Sequence, residues 1–292
     1  MKVLIFGGSG FLGSHVADAL IKERYEVTVF DKVKSPYIKK GQSMVVDNIL
    51  DSQAVNKAMS GCDIVYNFAG IADIEDAKTD PLETVKNNVI GNTILLECAR
   101  KNKIKRFIFA SSIYVYSQHG SLYRASKQAC ELFIESYHEA YGLNYTILRY
   151  GSLYGPRAGE NNWIYQALRE ALTDKKITRF GDGEEIREYI HVEDAARLSI
   201  EILSKDYENE CVILSGYQQI KIKDLLVMIK EMLNNEIEIV YKKVGSKNNS
   251  EEHYEITPYS FKPRIAKKII SRHYLDLGQG ILGALNDLHR EL

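Results

Sequence analysis

The 292-residue chain is 45% hydrophobic and 26% charged, a balance typical of a globular protein. Its 38 lysine and arginine residues nearly match its 39 aspartate and glutamate residues, which gives a formal net charge of −1. A chain without excess positive charge has no bulk field for holding nucleic acid or an anionic membrane, so we expect no partner of either kind. The five prolines and the lack of any run of about 20 apolar residues also disfavour disorder and a membrane span.

The cysteines form no C-x-x-C pair and are Cys62, Cys98, Cys130 and Cys211. This spacing suits neither a zinc site nor a disulfide scaffold, whereas buried free thiols suit a reducing compartment. The N-terminal apolar run ends at glycines after Phe6, without the small-residue site at which a signal peptide is cleaved. We therefore expect a cytoplasmic protein without a metal.

The first half of the chain alternates short apolar runs with longer segments of helical periodicity. The apolar runs predict strands at Lys2–Phe6, Glu26–Phe30, Met44–Val46, Ile64–Phe68, Arg106–Ala110 and Tyr145–Leu148. The periodic segments predict helices at Phe11–Glu23, Ser52–Ser60, Leu82–Lys101 and Tyr123–Tyr141. Buried strands that are joined by helices form parallel sheets with right-handed crossovers. The pattern therefore predicts a doubly wound α/β fold of the Rossmann type.

The pattern changes after Gly155 and Pro156. Further helices are predicted at Trp163–Thr173, Val192–Leu203 and Ile222–Asn234, and short strands at Ile177–Phe180, Val212–Leu214 and Ile237–Tyr241. The polar stretch Gly245–Glu252 is predicted to be a mobile loop. We expect the Rossmann-type domain over residues 1–155 and a smaller α/β lobe over residues 156–292, with elements free to interleave across the boundary.

A glycine-rich turn follows the first predicted strand and opens the first predicted helix. Its G-x-x-G-x-x-G spacing runs over Gly7, Gly10, Phe11, Leu12 and Gly13. Such a turn lets the backbone approach a pyrophosphate at the helix N-terminus, although any tight strand-to-helix turn can require glycine. Asp31 ends the second strand, where a carboxylate accepts hydrogen bonds from ribose hydroxyls and repels a 2′-phosphate. The combination indicates NAD rather than NADP; alternatively, Asp31 merely ends a strand.

A second signal lies on the helix predicted at 123–141. Tyr123 and Lys127 are four residues apart, so the phenol and the ammonium share one face of the helix. A cation near a phenol stabilises the phenolate and lowers its pKa, which would make Tyr123 a base for a hydroxyl proton. Tyr-x-x-x-Lys is common by chance, but Ser111 and Ser112 end the preceding strand, at the sheet edge where ligands bind.

These features together resemble the extended branch of the short-chain dehydrogenase/reductase superfamily, the NAD-dependent nucleotide-sugar epimerases and dehydratases, from residue 2 to about residue 200. The resemblance implies that the Rossmann domain binds NAD and that the smaller lobe binds substrate. It implies a catalytic group of Ser112, Tyr123 and Lys127. The implied cofactor contacts beyond the glycine turn and the catalytic pair are Asp31, Lys32, Asp47, Asn48, Phe68, Ala69, Gly70 and Asn88.

The resemblance also implies substrate contacts. Ser112 would position the reacting hydroxyl, Ser152 stands where relatives often have an asparagine on the diphosphate, and Arg187 matches the arginine that binds this group. The alternative for Arg187 is a surface pair with Glu184 or Glu188. Trp163 and Asn162 suit either the sugar pocket or the core, and His191 is expected to be structural.

Two departures from the family pattern carry information. Dehydratases have an Asp-Glu pair after the catalytic hydroxyl residue, whereas Ile113 and Tyr114 follow Ser112 here. The resemblance therefore argues against 4,6-dehydration. Ser112 and Tyr123 are also closer in sequence than in relatives, which predicts a more open pocket or a bulkier sugar.

The implied function is hydride transfer between NAD and C4 of a nucleotide-diphosphate sugar, a hexose or a heptose. The enzyme would be a 4-epimerase or a 4-dehydrogenase/4-ketoreductase. The rival hypothesis is a non-catalytic NAD-binding sensor or scaffold on the same fold. Relatives imply a homodimer through the helices near 82–101 and 123–141.

Overall fold

A computed structural model describes residues 1–243, 267–269 and 273–291, so the loop predicted at Gly245–Glu252 lies outside the described residues. The strands are β1 Lys2–Phe6, β2 Glu26–Asp31, β3 Gln42–Val46, β4 Ile64–Asn67, β5 Arg106–Ser112, β6 Tyr145–Tyr150, β7 Ser152–Tyr154, β8 Lys176–Phe180, β9 Ile186–His191, β10 Glu210–Leu214, β11 Gln219–Lys221, β12 Glu238–Lys242 and β13 Lys267–Lys268. The helices are α1 Phe11–Lys22, α2 Ser52–Met59, α3 Ile74–Thr79, α4 Pro81–Thr84, α5 Gly91–Lys101, α6 Ser121–Tyr141, α7 Trp163–Asp174, α8 Val192–Glu201, α9 Ile222–Met232 and α10 Leu277–Glu291.

Eight strands form one large sheet in the order β13-β10-β6-β5-β4-β1-β2-β3. Every pair of neighbours in this order is parallel. The order reverses direction between β1 and β4, which is the point where doubly wound sheets bind their ligands. The predicted Rossmann-type α/β fold is confirmed.

Each face of the sheet is covered by helices that present apolar side chains. On one face, α2, α5 and α6 pack on buried side chains such as Leu4, Phe107 and Ile147. On the other face, α1 and α8 pack on a second cluster that includes Ile5 and Val29. Burial on both faces explains why the strands are continuous apolar runs rather than alternating ones.

The helix predicted at Leu82–Lys101 is wrong in its detail, because three elements divide this segment. The Asp80 side chain caps α4 and Pro81 occupies its first turn, which are start signals that periodicity alone does not detect. Residues Val85–Ile90 then form a π-helical segment that leads into α5. Such segments are rare and occur often at functional sites, and this one contains the buried Asn88.

A smaller lobe is built from α7, α9 and α10 around the parallel pair β8 and β12. The sequence analysis missed α10, whose three glycines lower its helix propensity. Ile281, Leu285 and Leu288 nevertheless share one face and are buried in the core of this lobe. Within the described ranges, no helix combines the length and the hydropathy that a membrane span requires.

The chain crosses between the two regions more than once. After the first part of the smaller lobe, α8 packs against α1 and β10 pairs with β6 in the large sheet. The strand predicted at Val212–Leu214 therefore belongs to the Rossmann-type sheet. The chain first leaves this sheet near residue 155, but the sheet is completed only when β10 pairs with β6.

Candidate active site

The glycine-rich turn is tightly packed against the loop after β4. Gly7 has φ +74°, and a Cβ there would lie 2.5 Å from the backbone nitrogen of Ala69. A Cβ on Gly13 would lie 2.4 Å from the carbonyl oxygen of Gly7. Gly10 is the N-cap residue of α1 and, because glycine has no side chain, it cannot cap the first helical turn. Amide groups at the start of a helix without a capping side chain can bind a phosphate, so the cradle fits a dinucleotide.

Asp31 lies beside this turn. Its Oδ2 accepts a hydrogen bond from the backbone N–H of Ser9 at 2.9 Å. The carboxylate therefore lies at the end of β2, next to the predicted pyrophosphate site, as expected for a residue that binds the ribose of a dinucleotide. Lys32, Asp47 and Asn48 are exposed nearby, and the N–H of Asp47 donates to the carbonyl of Asp31 at 2.9 Å.

Asn88 joins the predicted nicotinamide wall to helix α6. Its Oδ1 accepts from the N–H of Ile71 at 2.7 Å, and its Nδ2 donates to the carbonyl of Ile71 and to Ser126 Oγ, each at 2.9 Å. A Cβ on Gly70 would lie 2.6 Å from Asn88 Oδ1. Asn88 therefore holds the segment that contains Phe68, Ala69 and Gly70, a role that the sequence analysis did not anticipate.

The predicted catalytic group comes together at the end of β5. The hydroxyl of Ser112 is hydrogen-bonded to the phenol of Tyr123. Lys127 lies one turn further along α6, with Nζ 5.7 Å from the centre of the Tyr123 ring and donating to the carbonyl of Ala110 at 2.8 Å. All three side chains are buried.

The expected effect of Lys127 on Tyr123 is wrong for the chain in this structure. Burial raises the pKa of Tyr123 to about 12, against the opposing effect of the hydrogen bond with Ser112. Burial also lowers the pKa of Lys127, while Cys130 and Glu131 act to raise it. The shared helix face brings the two groups near each other, but desolvation decides the direction in which the pKa of Tyr123 shifts, and Lys127 is not among the groups that move it.

A cavity of about 360 Å³ opens beside this group. It brings together the predicted residues Ser112, Tyr123, Ser152 and Arg187. Arg187 is buried, and Glu184, one of its two alternative partners, instead forms ion pairs with two lysines.

Further residues line the same cavity. Trp163 and Asn162 are part of its wall, and Trp163 also packs, half-buried, against the core of the smaller lobe. Arg179 was missed by the sequence analysis, although it lies just before the turn Gly181–Gly183. Its guanidinium lies 5.2 Å from the centre of the Trp163 ring and donates to Glu185 at 2.5 Å. His191 caps α8 by accepting from the N–H of Glu193, which is the structural role that was expected.

A buried ion pair connects the elements that carry the catalytic group. Arg149 on β6 donates to both carboxylate oxygens of Glu131 on α6, at 3.0 and 2.6 Å. Ser111 also donates to Glu131, and Arg149 donates to the hydroxyl of Tyr116, each at 2.5 Å. The pair therefore ties together both segments that flank Ser112 and the helix that carries Tyr123.

Comparison with known protein families finds one that spans the site residues described above. The model of the NAD dependent epimerase/dehydratase family matches residues 3–213. The chain belongs to this family. NAD is therefore the cofactor of this epimerase/dehydratase, and the resemblance drawn from the glycine turn, Ser112, Tyr123 and Lys127 is confirmed at the level of the family.

Relatives within the family differ in the reactions for which they are named. A putative UDP-glucose 4-epimerase of Methanocaldococcus jannaschii is 28% identical over 265 residues, which cover 82% of this chain and 85% of the relative. A dTDP-glucose 4,6-dehydratase of Streptomyces antibioticus is 28% identical over 220 residues, 66% of each chain. Family membership therefore leaves epimerisation and dehydration both open for this chain.

The fold has well-matched solved counterparts. The crystal structure of the Thermotoga maritima UDP-glucose 4-epimerase with UDP-glucose matches with a TM-score of 0.86, at 24% identity, over 100% of this chain and 99% of that one. At this identity the match establishes the shared fold.

Proposed function

We propose that this epimerase/dehydratase transfers a hydride at C4 of a nucleotide-diphosphate sugar. The observation that carries the proposal is the hydrogen-bonded pair of Ser112 and Tyr123, which lines one cavity together with Arg187. A proton-transfer group and a cationic anion-binding group in one cavity match a substrate with a hydroxyl at one end and a diphosphate at the other. The relatives named for UDP- and dTDP-sugars support the same substrate class.

In this mechanism Tyr123 takes the proton of the C4 hydroxyl. Ser112 positions that hydroxyl and donates to the carbonyl oxygen that develops at C4. NAD, when bound, supplies the hydride acceptor and a positive charge that favours the phenolate of Tyr123. Lys127 would hold the nicotinamide ribose, and its buried Nζ lies 5.7 Å from the centre of the Tyr123 ring.

The opposite end of the cavity would hold the diphosphate. Arg187 is suited to this because a guanidinium binds two phosphate oxygens at once. Arg179 lines the same cavity and adds a second guanidinium. Ser152, which replaces the asparagine common in relatives, would contribute a hydroxyl instead of an amide.

We propose that the product keeps its C6 oxygen. Elimination of water across C5 and C6 needs an acid and a base next to the catalytic hydroxyl residue, and Ile113 and Tyr114 occupy those positions. Ile113 is buried in a small apolar cluster and has no ionisable group. The remaining outcomes are a 4-epimer, in which the hydride returns to the other face of C4, and a released 4-keto sugar.

The test is a panel of UDP-, GDP- and dTDP-sugars incubated with and without added NAD and followed by NMR. A 4-epimer without net NADH identifies an epimerase, and a 4-keto sugar with stoichiometric NADH identifies a dehydrogenase. A 6-deoxy product would contradict the argument from Ile113 and Tyr114. Binding of NAD without conversion of any sugar would favour a sensor or scaffold instead.

We also infer a homodimer through the helices near 82–101 and 123–141. Large apolar side chains are exposed on both segments, with Leu82 73% and Leu132 62% exposed. Such side chains favour a protein interface when they share one surface. Sedimentation should show a dimer that Leu132→Glu dissociates. The control Leu282→Glu, at another exposed leucine on α10 (48% exposed), should leave the dimer intact. A monomeric parent chain would contradict the inference.

A further inference from the structure

Tyr114 is a part of the cavity wall that the proposed mechanism does not use. It is the second residue after Ser112, and its backbone N–H donates to Ser112 Oγ at 3.3 Å. Its ring packs edge-on against the ring of Tyr123, with the ring centres 6.2 Å apart and the planes at 76°. The residue therefore lies next to both members of the hydrogen-bonded pair and lines the same cavity.

The ring of Tyr114 is confined from behind by the short segment that precedes α6. Gly120 has φ +91°, and a Cβ there would lie 2.7 Å from Cδ1 and 3.2 Å from Cγ of Tyr114. This glycine therefore brings the backbone into direct contact with the ring. On another side the ring packs with Ile71 and Ile74 in the apolar cluster that includes Tyr123. The half-buried ring is therefore held between Gly120 and this apolar cluster while it also lines the cavity.

We propose that Tyr114 is a specificity-determining residue that limits the size of the substituent at C5 of the sugar. The inference rests on the proposed function, which brings C4 to Tyr123 and Ser112. The carbons next to C4 then lie within reach of a ring whose centre is 6.2 Å from that of Tyr123. Among nucleotide-linked sugars the C5 substituent is the group on these carbons that varies most in size, so it is the group on which an aromatic wall at this position would select.

Sugars differ in the size of the group at C5, so a limit on this group defines a substrate class. A nucleotide-linked pentose has only hydrogen at this position and a hexose has a hydroxymethyl group, whereas a heptose or a 6-O-acylated hexose extends further. The sequence favours an open pocket because the segment from Ser112 to Tyr123 is short. In the structure the short segment instead presses Gly120 onto Tyr114, and this favours the compact sugars.

The experiment compares the parent chain with Tyr114→Ala and Tyr114→Phe. The probes are xylose, glucose and 6-O-acetylglucose, each linked to UDP, dTDP and GDP. Turnover gives kcat/KM, and calorimetry gives Kd independently of the reaction. We expect Tyr114→Ala to raise the kcat/KM ratio of 6-O-acetylglucose to glucose by about 10- to 200-fold, the range that steric pockets achieve. Tyr114→Phe keeps the ring and should keep the parent ratio.

A second variant keeps the test decisive if the alanine variant folds poorly. Tyr114→Trp enlarges the wall and should shift the Kd and kcat/KM preference from glucose toward xylose. An unchanged preference in both Tyr114→Ala and Tyr114→Trp, with NAD affinity intact, would overturn the role of Tyr114 and leave the proposed function standing. Failure of every sugar nucleotide to bind the parent chain would refute the proposed function itself, and this inference with it.

Discussion

The buried pair of Glu131 and Arg149 gives the sharpest prediction about stability. Their side chains are only 9% and 7% exposed, and the Glu131 carboxylate accepts two hydrogen bonds from the guanidinium and one from Ser111. Glu131→Gln keeps the shape but removes the charge, so the guanidinium of Arg149 stays buried without its counter-ion. Breaking a buried pair in this way costs about 3–5 kcal/mol of unfolding free energy.

The assay is urea unfolding together with thermal melting. In chains of roughly 150–250 residues, a loss of 1 kcal/mol lowers Tm by about 2–4 °C. A loss of about 3–5 kcal/mol therefore corresponds to a decrease in Tm of about 6–20 °C. Glu97 and Arg100 provide the matched control, because they form the same two-pronged contact but are 34% and 38% exposed. Glu97→Gln should cost no more than about 1 kcal/mol.

A double variant separates lost attraction from an unpaired charge. Glu131→Leu combined with Arg149→Met removes both charges of the pair and should recover most of the loss, because apolar replacements of buried pairs are often neutral or stabilising. If Glu131→Gln were as mild as Glu97→Gln, the argument that burial makes this pair important would be refuted.

Three further predictions concern the site. Asp31→Ala should weaken NAD binding and narrow its advantage over NADP in calorimetry; a parent chain that prefers NADP would contradict the role of Asp31. Tyr123→Phe should lower kcat by about 10²–10⁴-fold with NAD affinity retained, whereas Lys127→Ala should impair both; near-normal turnover of Tyr123→Phe would refute the proton path. Arg187→Ala should raise KM by the equivalent of about 1.5–3 kcal/mol in steady-state kinetics, and unchanged KM and kcat would exclude contact with the diphosphate.

Local patterns were sufficient to predict much of the architecture and part of the site. The run Lys2–Phe6, the glycine turn and the helix after it are contiguous, so their order alone indicates the dinucleotide cradle. Tyr123 and Lys127 are related by the helix period, and Ser112 ends the adjacent strand. In each case the contact follows from one element or from two that are neighbours in the sheet.

The parts that were missed depend on side chains that the fold brings together over long distances. Arg149 and Glu131 belong to β6 and α6, and neither residue type has a local signature of burial. Asn88 acts through a π-helical segment that hydrophobic periodicity reads as an ordinary helix. The pKa of Tyr123 was mispredicted for the same reason, because desolvation depends on the whole surrounding fold rather than on the spacing to Lys127.

The return of the chain to the large sheet after residue 192 has a consequence for dissecting the protein. A fragment that ended at residue 155 would lack β10, and β6, in which all six residues are buried, would become an edge strand. Unprotected apolar edges of this kind recruit other strands. We therefore expect such a fragment to aggregate on expression, and the dinucleotide cradle to be obtainable in native form only with the segment that completes its sheet.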